Sequence, residues 1–137
     1  MTESQTAQKP IPEADERSKP FFEAGMRDEF VLMKCSSCNE FRLPAFDNCD
    51  ACLSPDYTWE PGSGKGTVRT FAIMHQRYHA GFEPELPYNI AVVELEEGPR
   101  ITTNLVDVAN DAISVGMAVT VAWEQHEDVA IPKFRPS

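Results

Sequence analysis

Residues 35–52 read CSSCNEFRLPAFDNCDAC and contain every cysteine of the 137-residue chain. The cysteines form two Cys-x-x-Cys pairs separated by ten residues: Cys35 with Cys38, and Cys49 with Cys52. Two thiolates at this spacing can turn onto one metal ion, and two such knuckles supply the tetrahedral sulfur cage that zinc prefers. The stretch therefore predicts a zinc ribbon, in which two tight turns face each other across the metal.

Disulfides and iron are the alternatives to zinc. Four cysteines allow three disulfide pairings, but such bridges belong to oxidising compartments, and residues 1–20 lack the apolar core of a secretory signal. Iron in a rubredoxin-like site stays open, because the ligand set alone does not separate the two metals. Since all four ligand positions are cysteine, no place is left for a catalytic water, and we expect a structural Zn²⁺.

The charge of the chain bears on its partners. A formal net charge of −10 argues against a general nucleic-acid binder, which needs Lys and Arg to release counterions from phosphates. Residues 61–82 nevertheless contain no Asp or Glu, and they carry Lys65, Arg69 and Arg77; residues 129–137 are also free of acids. These segments suit one small phosphorylated ligand, with solvated strand faces as the alternative.

The composition changes along the chain and predicts three parts. Residues 1–19 are polar and proline-bearing, which is typical of a flexible arm; residues 20–61 hold a short helix and the ribbon; residues 62–137 form a β domain. A glycine-rich PGSGKG stretch, residues 61–66, joins the last two parts. No run of roughly eighteen apolar residues occurs, so we expect a cytoplasmic protein without a membrane span.

The β domain is predicted from five short runs rich in β-branched and aromatic residues. Gly, Pro or acidic turns separate them, and Glu96-Glu97-Gly98-Pro99 is a hairpin signal between the second and third. Five strands in about 70 residues favour an OB-fold barrel, with a β-sandwich or SH3-like barrel as the runner-up. The runs are TVRTFAIMHQ, PYNIAVVEL, RITTNLV, AVTVAWE and VAIPKF.

The order of these features resembles the zinc-ribbon OB-fold family called domain of unknown function number thirty-five. The resemblance runs from Lys19 to Pro136 and rests on the PFFEAG helix, the two knuckles, the glycine-rich joint, the PYNIAVVELEEGPRITTNLV hairpin and the closing IPKFRP. The sequence departs from the family pattern at two places, both within the knuckles. The second knuckle reads CDACLS where the family commonly has Cys-Pro-x-Cys-Gly-Ser, and the first lacks the usual Gly after Cys38.

The resemblance implies a non-catalytic accessory subunit of acyl-CoA metabolism, of the kind used in lipid, aromatic or steroid catabolism. Its partner in a hetero-oligomer would be a thiolase-superfamily enzyme (a thiolase, a hydroxymethylglutaryl-CoA synthase or a steroid side-chain aldolase), or a MaoC-type hydratase. In such complexes the OB module lies beside the partner's CoA tunnel and the ribbon contributes docking surface. A module binding single-stranded nucleic acid is the alternative from another class, because zinc ribbons and OB folds often serve there.

The residues of this chain agree with a non-catalytic role. All cysteines are assigned to metal, and the histidines, His75, His79 and His126, accompany no nucleophile elbow or metalloprotease helix. The candidate contacts to CoA or to the partner are basic or aromatic residues, for which loop packing and solvent-facing positions are the alternatives. Near the phosphates of CoA we expect Lys65, Arg69, Arg77 and His79, and for stacking we expect Tyr78 and Phe82. The adjacent Phe21 and Phe22 either contact the partner or staple the helix to the ribbon.

Overall fold

A computed structural model of the chain describes residues 15–44, 47–76, 80–127 and 129–137. Within these residues the fold is mainly β, as predicted, with one α-helix and eight strands. No helix there is long and apolar enough to span a membrane. The elements are α1 (Lys19–Met26), β1 (Val31–Cys35), β2 (Phe41–Arg42), β3 (Tyr57–Pro61), β4 (Lys65–Met74), β5 (Tyr88–Leu95), β6 (Arg100–Thr103), β7 (Ala118–Gln125) and β8 (Ala130–Pro136).

The strands form two antiparallel sheets. The ribbon is a three-stranded sheet in the order β2-β1-β3, and the second sheet has the order β6-β5-β4-β7-β8. Each of the five predicted β runs supplies one strand of the second sheet. Its strand β5 alternates strictly between half-buried and buried residues, because successive side chains of a strand point to opposite faces.

The five-stranded sheet curls until its two edge strands meet. A parallel bridge joins Leu105, just after β6, to Phe134 of β8, and the N–H of Val106 donates to the carbonyl of Phe134 at 2.8 Å. The buried side chain of Asn89 reinforces this seam. Its Nδ2 donates to the carbonyl of Leu105 at 2.9 Å, and its Oδ1 accepts from the N–H of Leu105 at 2.6 Å. The result is the curled five-stranded sheet that the OB prediction requires.

The predicted β5–β6 hairpin is confirmed. The N–H of Leu95 donates to the carbonyl of Pro99 at 2.8 Å, and the N–H of Gly98 donates back to the carbonyl of Leu95 at 2.9 Å. Gly98 has φ +118°, a conformation that other residues rarely adopt, so the glycine in the Glu-Glu-Gly-Pro signal is the residue that allows the turn.

The glycine-rich joint is packed, which its composition alone did not reveal. A Cβ on Gly64 would lie 2.7 Å from Val121, and one on Gly66 would lie 2.5 Å from Val93 and 2.6 Å from the carbonyl oxygen of Glu94. The backbone of Gly62 also donates to the carbonyl of Phe30 at 2.8 Å. The glycines therefore bring the backbone of the joint directly against the barrel.

Helix α1 packs mainly against β7 and β8 of the barrel and makes a smaller contact with β1, so the predicted staple to the ribbon accounts for only a minor part of its packing. Phe21 is buried, with its ring edge-on to Trp123 at 5.5 Å, and a Cβ on Gly25 would lie 2.6 Å from the same indole. Gly25, which weakens the helix by propensity, thus permits its close approach to β7. The division of the chain into three parts stays a prediction, because residues 1–14 lie outside the described residues.

Candidate metal centre

The four cysteines come together at one end of the ribbon sheet. Their Sγ atoms all lie within 4.8 Å of one another, with Cys35 to Cys52 and Cys38 to Cys49 both at 3.5 Å. A disulfide requires about 2.05 Å, and all four thiols are free. Sulfurs about 2.3 Å from a tetrahedral zinc are about 3.8 Å apart, so the cluster has the size of a metal–tetrathiolate site.

Both knuckles are built from the same backbone hydrogen bonds. In the first, the N–H of Asn39 donates to the carbonyl of Cys35 at 2.9 Å; in the second, the N–H of Leu53 donates to the carbonyl of Cys49 at 2.8 Å. Asn39 and Leu53 each have φ +67°. These are the positions where the family usually has glycine, which adopts this conformation freely. Asn tolerates it, but an exposed Leu is strained there.

The backbone of each knuckle also acts on the thiols. The N–H of Cys38 lowers the pKa of the Cys35 thiol to about 6, and the N–H of Cys52 lowers the pKa of Cys49. At Cys38 the N–H of Glu40 acts in the same direction, but burial and the neighbouring thiols outweigh it and raise the pKa to about 12. Each knuckle thus holds one thiol that ionises readily, and an incoming cation displaces the remaining protons.

Those predicted contact residues that the structure describes do not gather in one place. Lys65 and Arg135 both line a shallow groove of about 940 Å³, so residues of the two acid-free segments share this groove. Its lining also includes Glu94, Glu96 and Asp107. Arg69 is exposed and lies 3.7 Å from Glu94. Phe21 is buried within the chain and Phe22 is half-buried beside it. Arg77, Tyr78 and His79 lie outside the described residues, as does the side chain of Phe82.

Sequence reasoning missed Arg42, a buried residue of ribbon strand β2. The residue is 4% exposed, and its guanidinium stacks over the ring of Tyr57, 5.3 Å from the centroid. Its signal in the sequence is weak: an arginine between two apolar residues in Phe41-Arg42-Leu43 is typical of a solvent-facing position on a short strand.

Comparison with known proteins identifies relatives along most of the chain. The family model for the C-terminal OB-fold domain of ChsH2 matches residues 59–124. A DUF35 domain-containing scaffold protein of Methanocaldococcus jannaschii is 33% identical over 114 residues, which are 77% of this chain and 80% of that protein. A protein of the same description from Pyrococcus furiosus is 39% identical over 119 residues, covering 80% and 86%.

Another relative is longer. The probable enoyl-CoA hydratase alpha subunit of Thermomonospora curvata is 36% identical over 132 residues, which are 96% of this chain but 41% of that protein.

Two solved structures have the same fold. A chain of the Ltp2-ChsH2(DUF35) aldolase superposes with a TM-score of 0.79 at 35% identity, over 92% of this chain and 98% of that one. A DUF35 protein of unknown function from Sulfolobus solfataricus superposes with a TM-score of 0.61 at 16% identity, over 90% and 87%, and shows the fold alone.

Proposed function

The chain belongs to the DUF35 family, and on that premise we propose that it is a non-catalytic accessory subunit of a thiolase-superfamily acyl-CoA enzyme of the thiolase or aldolase type. In this role it offers docking surface to the enzyme and helps to enclose the CoA ester. One observation carries the proposal: nearly the whole chain superposes on a chain of the Ltp2-ChsH2(DUF35) aldolase, at 35% identity.

The chemistry of the described residues supports a role without turnover. The cysteine cluster takes up every thiol of the chain. His126 lies 2.9 Å from Glu124, at the end of β7, and His75 is exposed just after β4. Neither adjoins a serine or thiol nucleophile of the kind that acyl transfer needs. In the proposed role the chain contributes shape, and the reacting groups belong to the partner enzyme.

We propose that the metal is a single structural Zn²⁺ held by Cys35, Cys38, Cys49 and Cys52. Four thiolates at tetrahedral separations suit zinc, and with all ligand positions filled by protein the ion fixes the two knuckles and offers no open coordination site. Iron is the competing ion. Elemental analysis together with the visible spectrum separates them, because zinc gives a colourless protein and an iron–tetrathiolate protein is coloured.

The CoA contacts remain part of this proposal. Lys65 and Arg69 are exposed on β4, and the two acid-free segments meet at the groove that Lys65 lines. With Arg77 and His79 they would face the phosphates of CoA, while Tyr78 and Phe82 would stack on its adenine. Phe22, which is half-buried, is the member of the phenylalanine pair that would touch the partner. The free thiols suit a reducing cytoplasm.

The test is co-purification with the thiolase-superfamily protein encoded beside this chain. We expect the two to elute together and the acyl-CoA activity of the partner to rise in the complex. Arg69→Ala should raise the KM for the CoA ester, whereas Arg27→Ala, an exposed arginine at the end of α1, should leave it unchanged. Separate elution with unchanged partner activity contradicts the proposal, and so does acyl-CoA turnover by this chain alone.

The longer relative favours a second partner. Because this chain matches two fifths of a probable enoyl-CoA hydratase alpha subunit, a MaoC-type hydratase is a candidate partner as well. Co-purification of this chain with a hydratase, alongside the experiment with the thiolase-superfamily protein, shows which of the two partners binds or whether both do. A nucleic-acid module has less support: with a net charge of −10, we expect binding to single-stranded oligonucleotides no tighter than the nonspecific range of about 10⁻⁴–10⁻⁶ M.

A further inference from the structure

One face of the ribbon sheet carries both a metal-ligand cysteine and a buried arginine. Paired residues of antiparallel strands have their side chains on the same face. Arg42 of β2 pairs with Met33 of β1, and Cys35 of β1 pairs with Tyr57 of β3. Since Met33 and Cys35 are two residues apart on one strand, all four side chains lie on this face.

The side chain of Arg42 crosses the middle strand on that face. Strand β1 lies between β2 and β3, yet the guanidinium of Arg42 reaches the ring of Tyr57 on the far strand, 5.3 Å from its centroid. Its Nη2 donates to the carbonyl of Pro55 at 3.5 Å, in the segment that leads from Cys52 into β3. The charged group therefore lies over β1, beside the start of β3 and the segment that follows the second knuckle.

This guanidinium is only partly compensated by the protein, through one carbonyl and one aromatic ring. Arg42 is 4% exposed, and its Nε and Nη1 atoms are shielded from solvent without a hydrogen-bond acceptor. No carboxylate in the described part of the chain forms an ion pair with it. Burial of a cation without an anionic partner is costly, and arginine cannot escape the cost by losing its proton. An anionic group on the same face is therefore expected.

We infer that Arg42 is the counter-cation of the metal–tetrathiolate cluster. A divalent ion with four thiolates carries two net negative charges, and this cluster is built on Cys35, which shares its face with the guanidinium. The pairing offsets the charge of both groups in a poorly solvated region, and Tyr57 holds the guanidinium there by stacking. The inference rests on the proposed metal and is independent of the proposed partner.

Metal affinity of the full-length chain tests this assignment. Zn²⁺ dissociation constants are measured by competition with a chromophoric chelator for the wild type, Arg42→Gln and Arg42→Lys. Arg100→Gln is the matched control, because Arg100 lines the same cleft of about 250 Å³ as Arg42 but is exposed and paired with Glu94 at 3.1 Å.

We expect Arg42→Gln to weaken Zn²⁺ binding about 10–100-fold, as loss of a supporting group around a metal site typically does. Arg42→Lys, which keeps the charge, should weaken it only a few-fold, and Arg100→Gln should bind as the wild type does. Equal affinity of wild type and Arg42→Gln overturns the inference. Equal losses in the Gln and Lys variants also overturn it, because packing and not charge would then be responsible. A wild type that binds no metal overturns the metal proposal itself.

Discussion

The ribbon and the barrel of this chain are stabilised by different means. Strand β3 of the ribbon has no buried residue and β2 has only two residues in all, whereas β5 of the barrel buries every second side chain. We therefore expect the ribbon to depend on metal binding by its four cysteines, and the barrel to depend on apolar burial. On this proposal, the segment with less buried surface is ordered by a metal, beside a domain that needs none.

The two regions are nevertheless joined through one core. Phe30 and Leu32, at the start of β1, belong to the same buried cluster as Val93 and Phe134 of the barrel. The four cysteines are not members of this cluster. Dependence on the metal should accordingly increase along β1, from Leu32, which the barrel holds, to Cys35, which the metal holds.

The largest effect is expected from Cys38→Ser. Loss of one thiolate should reduce the metal content from about one ion per chain to near zero, because structural zinc contributes about 10–16 kcal/mol to the folding of small zinc modules. In ¹H–¹⁵N NMR spectra we expect the amide signals of residues 35–57 to lose dispersion while those of β4 to β8 stay in place. Ser36→Ala, an exposed change in the same knuckle, is the control. Full metal content in Cys38→Ser would break the distinction between the regions.

A second prediction tests the barrel without touching the metal. Asn89→Ala leaves the N–H and the carbonyl of Leu105 without partners at the closing seam, which should cost about 2–4 kcal/mol. Urea unfolding measures the loss, and hydrogen exchange should accelerate at Leu105. Thr102→Ala, exposed on β6, should change the free energy of unfolding by less than about 0.5 kcal/mol. Loss of zinc from Asn89→Ala would show that the two regions are more tightly coupled than we infer.

The smallest effect is expected at the second knuckle. Leu53 is 74% exposed at φ +67°, so Leu53→Gly removes backbone strain without losing buried surface. We expect a gain of about 0.5–1 kcal/mol in the metal-loaded protein, measured as a higher Tm. Asn39→Gly, at the equivalent position of the first knuckle, should gain less because asparagine already tolerates this conformation. A lower Tm for Leu53→Gly would mean that its side chain has contacts that the free chain does not show.

Much of the architecture was accessible from the sequence because local signals specify it. The Cys-x-x-Cys spacing predicts the cluster, the β-branched and aromatic content of residues 87–95 predicts β5, and the Glu-Glu-Gly-Pro turn predicts its hairpin. What escaped prediction depends on contacts between distant residues. The packing of the helix on the barrel escapes prediction because nothing in PFFEAG indicates that Gly25 faces Trp123, a residue 98 positions further along the chain.

The candidate site divides in the same way. Its ligands follow from spacing, but the burial of Arg42 follows from Tyr57 and Pro55, which only the folded sheet brings beside it. Asn89 is likewise of a residue type that is common in turns. Its hydrogen bonds to the backbone of Leu105 form only when the sheet curls and brings the two residues together.

The packed joint of residues 61–66 has a practical consequence for protein engineering. Because a Cβ on Gly64 or Gly66 would collide with the barrel, this short stretch works as a rigid bracket that fixes the angle between the two regions. A chimera that transplants this ribbon onto another OB fold would have to carry the bracket together with Val93 and Val121, the residues that its glycines contact. A generic flexible linker in its place would leave the orientation of the ribbon unfixed.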